Sequence, residues 1–89
     1  MKKIYKYQLA ITDEIYLSMP KGAQVLSVQV QHDIPVIWAL VDPDAPVVER
    51  HFHLEATGHQ LPDLMGRFIG TIQILEGDLV FHLFERFGS

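Results

Sequence analysis

Cysteine is absent from the 89-residue chain, which excludes a disulfide framework, thiolate zinc sites and cysteine catalysis. No apolar run approaches the roughly 20 residues that a membrane-spanning helix needs. Met1-Lys2-Lys3 leads into an alternating segment and not into a signal-peptide core, so a soluble, cytoplasmic protein is expected. Basic residues are scarce: seven Lys and Arg face eleven Asp and Glu, for a net charge of −4. A general nucleic-acid binder would carry a broad basic surface. The serines, Ser18, Ser27 and Ser89, sit in no strand–turn–helix elbow and beside no obvious base. Helical periodicity is missing too, and with no helix to follow, a glycine-rich phosphate loop has nothing to open. What remains is ordinary globular composition, 48% apolar and 20% charged, read as one domain over 1–89 with a thin core.

Alternation of apolar and polar residues fills that domain, and a period of two marks half-buried strands. Tyr5, Tyr7 and Leu9 share one side of the first strand. Ile15-Tyr16-Leu17 resumes after Thr12-Asp13-Glu14, and Pro20-Lys21-Gly22 turns the chain. Val25 to Gln31 is a clean strand with Leu26, Val28 and Val30 inward. His32-Asp33-Ile34-Pro35 closes a hairpin into Val36–Val41, and Asp42-Pro43-Asp44-Ala45-Pro46 breaks the chain again. Val47 to Thr57 alternates, with Phe52, Leu54 and Ala56 one way and His51, His53 and Glu55 the other. At most one short helical turn fits near 61–66. Arg67–Leu75 and Leu79–Phe87 form the last hairpin, joined at Glu76-Gly77-Asp78, where either Glu-Gly or Gly-Asp suits the central pair of a primed turn. The predicted fold is all-β: a small antiparallel sandwich or barrel of six or seven strands.

Two-residue turns place specific residues together, because directly opposed residues share a face. Phe68, Gly70, Ile72 and Ile74 then join Leu79, Phe81 and Leu83, leaving Ile69, Val80 and Phe84 on the reverse. In the middle hairpin the reverse face carries Val36, Trp38 and Leu40. Trp38, Leu40, Val36, Phe84 and Ile69 together would form an apolar patch of the kind that marks an interaction site. A homo-oligomer is the simplest cover for it.

Candidate chemistry concentrates in one passage. Arg50, His51, His53, Thr57, Gly58, His59 and Arg67 hold two of the three arginines and three of the five histidines. Arginine forks and histidine donors suit phosphate or carboxylate oxygens. Trp38, with Gln29 opposite, could stack on a base and read its edge. His51 and His53, about 7 Å apart on one strand face, make a weaker metal pair, with Glu55 next in line and His59 or His82 more distant. Asp42 and Asp44 are a still weaker hard-metal pair. No cofactor is expected, and the residues favour binding over catalysis.

Ile4-Tyr5-Lys6-Tyr7, Ile11-Thr12-Asp13-Glu14, Leu26-Ser27-Val28-Gln29-Val30-Gln31, Trp38-Ala39-Leu40-Val41-Asp42-Pro43, Thr57-Gly58-His59 and Leu79-Val80-Phe81-His82-Leu83-Phe84-Glu85 form an ordered set across nearly the whole chain. This set resembles a family of small uncharacterised proteins of bacteriophages and prophages, catalogued as a domain of unknown function. The resemblance implies a host-cytoplasm setting and brings no established activity; Thr-Gly-His recurs in the family, whereas His51 and His53 are not typical of it. By analogy of role, the expectation is a non-enzymatic oligomer that sequesters a nucleotide-like signalling molecule. In it Arg50 and Arg67 would hold phosphates, His59 with Thr57-Gly58 would donate, and Trp38 would stack. The alternatives are a module that blocks a host protein through Trp38, Leu40 and Phe84, a minor virion component, or a hydrolase or lyase using His51 or His53 as base.

Overall fold

The computed structural model describes residues 1–61 and 66–86. It is all-β, with strands β1 (Lys3–Gln8), β2 (Glu14–Pro20), β3 (Gln24–Gln31), β4 (Ile34–Val41), β5 (Val47–Ala56), β6 (Gly66–Ile74) and β7 (Leu79–Arg86). Two antiparallel sheets form an open sandwich and not a barrel: β1-β4-β3, here sheet I, and β2-β5-β7-β6, sheet II. The expected helical turn near 61–66 lies mainly on 62–65, outside the described residues. Among the described residues no helix is long and apolar enough to cross a membrane.

Each strand buries one side, as its alternation requires. Ile37, Ala39 and Val41 of β4 meet Phe52 and Leu54 of β5, Leu83 of β7, and Ile72 and Ile74 of β6 in one core. The sandwich is 16 Å through its thinnest axis, about two sheets at the usual 10 Å spacing with their outer side chains. Both hairpin turns have positive φ, at His32 and Asp33 (53° and 64°) and at Leu75, Glu76 and Gly77 (53°, 56° and 93°), the left-handed region that tight hairpin connections use. Leu75 N donates to Asp33 Oδ1 at 3.0 Å and ties the two hairpin tips together across the sheets.

Two bulges correct the expected faces. In β3 the ladder jumps between Val25 and Ser27. Val25 takes the inward place expected of Leu26, which is turned out and 46% exposed. In β6 the jump lies between Phe68 and Gly70. Phe68 is thereby paired with Phe84 on the outside and 54% exposed, while Ile69, expected on the reverse face, packs against the core. An inserted residue shifts everything beyond it by one, and one step flips a strand's faces. Both bulged strands are sheet edges, where such irregularity also discourages pairing with other chains. The two edges meet at Gly70: a Cβ there would lie 2.7 Å from Val28 Cγ1, so glycine permits the approach.

Arg50 closes the sandwich at one end. Its guanidinium forks onto Glu85, with Nε and Nη2 donating to the two carboxylate oxygens, and Nη1 donates to the Ala23 carbonyl at 2.8 Å. One side chain therefore links β5, β7 and the turn that opens β3. The hydrogen bond to Glu85 raises the Arg50 pKa above its already high ordinary value, outweighing the opposing effect of burial.

Candidate functional site

The outer face of sheet II is where titratable side chains converge. Strand pairing lines up Glu14 of β2 with His53 of β5, then His53 with Phe84 of β7, then Phe84 with Phe68 of β6. The adjacent row runs Glu55, His82, Thr71. Because successive residues alternate faces, Phe52, Leu54 and Leu83 enter the core while His51, His53, Glu55 and His82 point away from it.

Hydrogen bonds join this face into one network. Glu14 Oε1 accepts from Arg86, and Glu14 Oε2 lies 3.2 Å from both His51 Nε2 and His53 Nδ1. The other His53 nitrogen, Nε2, is 3.1 Å from Glu55 Oε1. The ring therefore bridges the two carboxylates, one at each nitrogen. This arrangement explains how His53 and Glu55 can be only 8% and 9% exposed, since buried charges are tolerated when paired and hydrogen-bonded. Tyr16 stacks on His51 at 4.2 Å between ring centroids. Among the described residues no buried side-chain nitrogen or oxygen lacks a partner.

Beside the network lies a shallow pocket of about 170 Å³, lined by Glu55, Ala56, Thr57, Gly58, His59, Leu61, His82 and Phe84. Its rim is the turn after β5, where His59 N donates to the Ala56 carbonyl at 3.3 Å. Gly58 sits at φ +88°, a conformation that favours glycine. His82 is held from both sides, with Nε2 2.7 Å from Thr57 Oγ1 and Nδ1 2.9 Å from Thr71 Oγ1. Phe84 forms the apolar wall and is itself braced edge-on by Phe68 at 5.4 Å. Glu55 Oε2 is 3.7 Å from His59 Nδ1. A broader depression of about 460 Å³ between the hairpin tips is lined by Asp33, Leu75, Glu76 and Asp78, carboxylates with no cationic side chain among them.

Of the ligand-binding residues expected from sequence, the structure brings Thr57, Gly58 and His59 to this pocket. Arg50 is not there, because its fork is taken by Glu85 and Ala23. Arg67 is exposed and pairs in register with Glu85, on the side of sheet II away from the pocket. Trp38 and Gln29 lie on the outer face of the other sheet and satisfy each other, Trp38 Nε1 donating to Gln29 Oε1 at 3.0 Å. The expected apolar patch is divided as well. Trp38 and Leu40 are half-buried on sheet I and Phe84 is on sheet II; Ile69 faces inward and Val36 is 1% exposed. Lys6 Nζ donates to Gln31 Oε1 at 2.8 Å; the bond spans β4, and the lysine stem helps shield that strand's middle. Among the described residues no three His, Asp or Glu side chains are grouped to hold a metal ion, the His51 and His53 pair included. Asp42 instead organises its own turn, its Oδ1 accepting from Asp44 N at 3.0 Å.

Sequence reasoning misses Glu14, Tyr16, Thr71 and Arg86, and reaches Glu55 and His82 only as further ligands of a metal pair. Alternation shows which side of a strand these residues take, but not that β2 and β7 flank β5. The pairing of β5 with β7 skips β6, and nothing local encodes it.

The chain belongs to a family described as a domain of unknown function, DUF7352, whose model matches residues 1–88. The expected membership of an uncharacterised family stands at that level, and the match assigns no activity. No curated protein and no solved structure matches the chain.

Proposed function

We propose that this domain is a non-enzymatic binding protein that captures a nucleotide-like small molecule in the pocket beside Thr57-Gly58-His59. The observation that carries the reading is that one chain closes Thr57, Gly58, His59, Glu55, His82 and Phe84 around a single space of about 170 Å³. An apolar wall with a few convergent polar groups is the usual make-up of a small-molecule site. The space suits one planar heterocycle, with the rest of the ligand outside. Phe84 takes the stacking role expected of Trp38.

Binding is favoured over catalysis at the two histidines held inside the network, His53 and His82. His53 and His82 have both ring nitrogens engaged by protein side chains, so neither presents a free lone pair to a substrate. General-base chemistry needs that lone pair within reach of the proton to be removed. In the finer form of the proposal, the protein is of phage or prophage origin, acts in the host cytoplasm, and sequesters a nucleotide signal used in antiviral defence. Its copies meet through the sheet I face that carries Ile4, Leu26, Trp38 and Leu40.

Titration calorimetry against cyclic dinucleotides, cyclic oligonucleotides, mononucleotides and ADP-ribose derivatives tests the reading. At least one should bind and be released intact on denaturation. Silence across the panel overturns capture, and cleavage products overturn the non-enzymatic part. A second reading is a module that blocks a host protein through the sheet I face, where Ile4 and Leu26 are exposed. A stoichiometric protein partner lost in a Leu26→Glu variant would support it.

A further inference from the structure

We infer that the pocket selects a guanine-type base, one that offers two adjacent N–H donors, and reads it through the Glu55 carboxylate. The inference rests on the binding reading of this pocket and names its ligand class. Among the described lining residues Glu55 is the main acceptor, as His82 has both nitrogens engaged and Phe84, Leu61 and Ala56 offer apolar surface. A carboxylate has about four lone-pair directions. Glu55 spends one on His53 at 3.1 Å and faces His59 only at 3.7 Å, so acceptor capacity remains on the pocket side. Guanine presents N1–H and the exocyclic N2–H side by side, the spacing that matches the two oxygens of a carboxylate. Adenine and cytosine place a ring-nitrogen lone pair beside their amino group, and uracil flanks its N–H with two carbonyl oxygens. Each of these sets an acceptor against Glu55.

Charge narrows the class further. His53 engages Glu55 just as Arg86 engages Glu14, so neither carboxylate stands without a partner from the protein itself. The carboxylate therefore reads hydrogen-bond donors more than positive charge. Among the described residues no lysine or arginine lines the pocket, so a phosphate stays outside it and contributes little. The Glu55 side chain is held from below by His53, and a pre-oriented acceptor discriminates well because a mismatched base leaves it unpaired.

The full-length chain is titrated with GMP, guanosine, AMP, CMP, UMP and inorganic phosphate, followed by calorimetry and by the amide resonances of Thr57 and Gly58. GMP and guanosine should bind within about threefold of each other, and AMP, CMP and UMP about tenfold or more weaker. Phosphate alone should leave both resonances unmoved. Glu55→Gln, its fold checked by circular dichroism, should erase the preference by replacing one acceptor with a donor, whereas His59→Ala should retain it. AMP binding as tightly as GMP and moving the same resonances overturns the guanine inference and leaves capture standing. Binding by another nucleotide of the wider panel but by no mononucleotide does the same. Silence from every ligand overturns both. The wild-type series alone separates these outcomes, even if Glu55→Gln fails to fold.

Discussion

The two outer faces of the sandwich arise from the same alternating pattern yet are built differently. On sheet I the polar positions are mostly amides on flanking strands, and they cap a central strand: Gln29 holds the Trp38 indole and Lys6 reaches Gln31 across β4. On sheet II the central strands β5 and β7 carry most of the polar groups, and the network runs from Arg86 through Glu14 of the edge strand β2 and His53 to Glu55. Polar residues at a sheet's margin can turn to water and need little from their neighbours. Polar residues in the middle of a four-stranded sheet lose water and must find partners, so they are costly to change. A face of the second kind can hold a side chain in a fixed orientation, which binding requires.

The largest expected effect comes from the contact beneath both faces. Arg50→Ala leaves Glu85 without its partner at the end of the sandwich and should cost about 3–4 kcal/mol, the range for breaking a buried pair. In a domain whose whole stability is on the order of 5–10 kcal/mol, chemical denaturation should show both faces lost in one early transition. His53→Ala sharpens the contrast, since it removes the ring that bridges Glu14 and Glu55 and leaves Glu55 without its buried partner. A loss of about 2–3 kcal/mol is expected, with altered Thr57 and Gly58 amide shifts and little change in Trp38 fluorescence.

Gly70→Ala probes the bulged edges where the sheets meet. A methyl placed 2.7 Å from Val28 Cγ1 meets a stiff β-branched side chain, and about 1–2 kcal/mol should be lost. Adding Val28→Ala should recover part of it in a double-mutant cycle. Gln29→Ala, on the sheet I face, frees the Trp38 N–H to water and should cost under about 1 kcal/mol, while changing Trp38 emission more than stability. The smallest effect is alkaline. Tyr7 has a pKa raised above the ordinary 10.0, chiefly by burial and next by neighbouring Tyr5. The unfolded chain therefore ionises first, and stability present below about pH 10 is lost as the pH rises further. Tyr7→Phe should flatten that slope in denaturation curves.

Much of the fold is legible in the residues. Strand positions follow from alternation, and the turn of the last hairpin follows from its glycine, so Ile37, Ala39, Phe52 and Leu83 can be assigned inward by counting. Counting fails at Leu26 and Phe68, where an inserted residue reverses the parity and nothing in composition marks the insertion. For the site, the Thr57-Gly58-His59 turn is readable because glycine at positive φ has a local cause. Arg50 reads as a ligand donor in the sequence because a fork suited to phosphate is equally suited to a carboxylate, and Glu85 lies 35 positions away.

By itself, the order of residues determined that this is an all-β chain, where its strands begin and turn, and which side of most strands avoids water. These properties depend on neighbours within a few positions, through backbone geometry and the period of two. Tertiary structure decided which strands lie side by side and where the ladders slip. It also decided which charges find each other: Glu14 beside His53, Glu55 beside His82, Arg50 beside Glu85. Such contacts join residues from distant parts of the chain, and their energies depend on how much water the assembled sheets exclude, a quantity that no single segment carries.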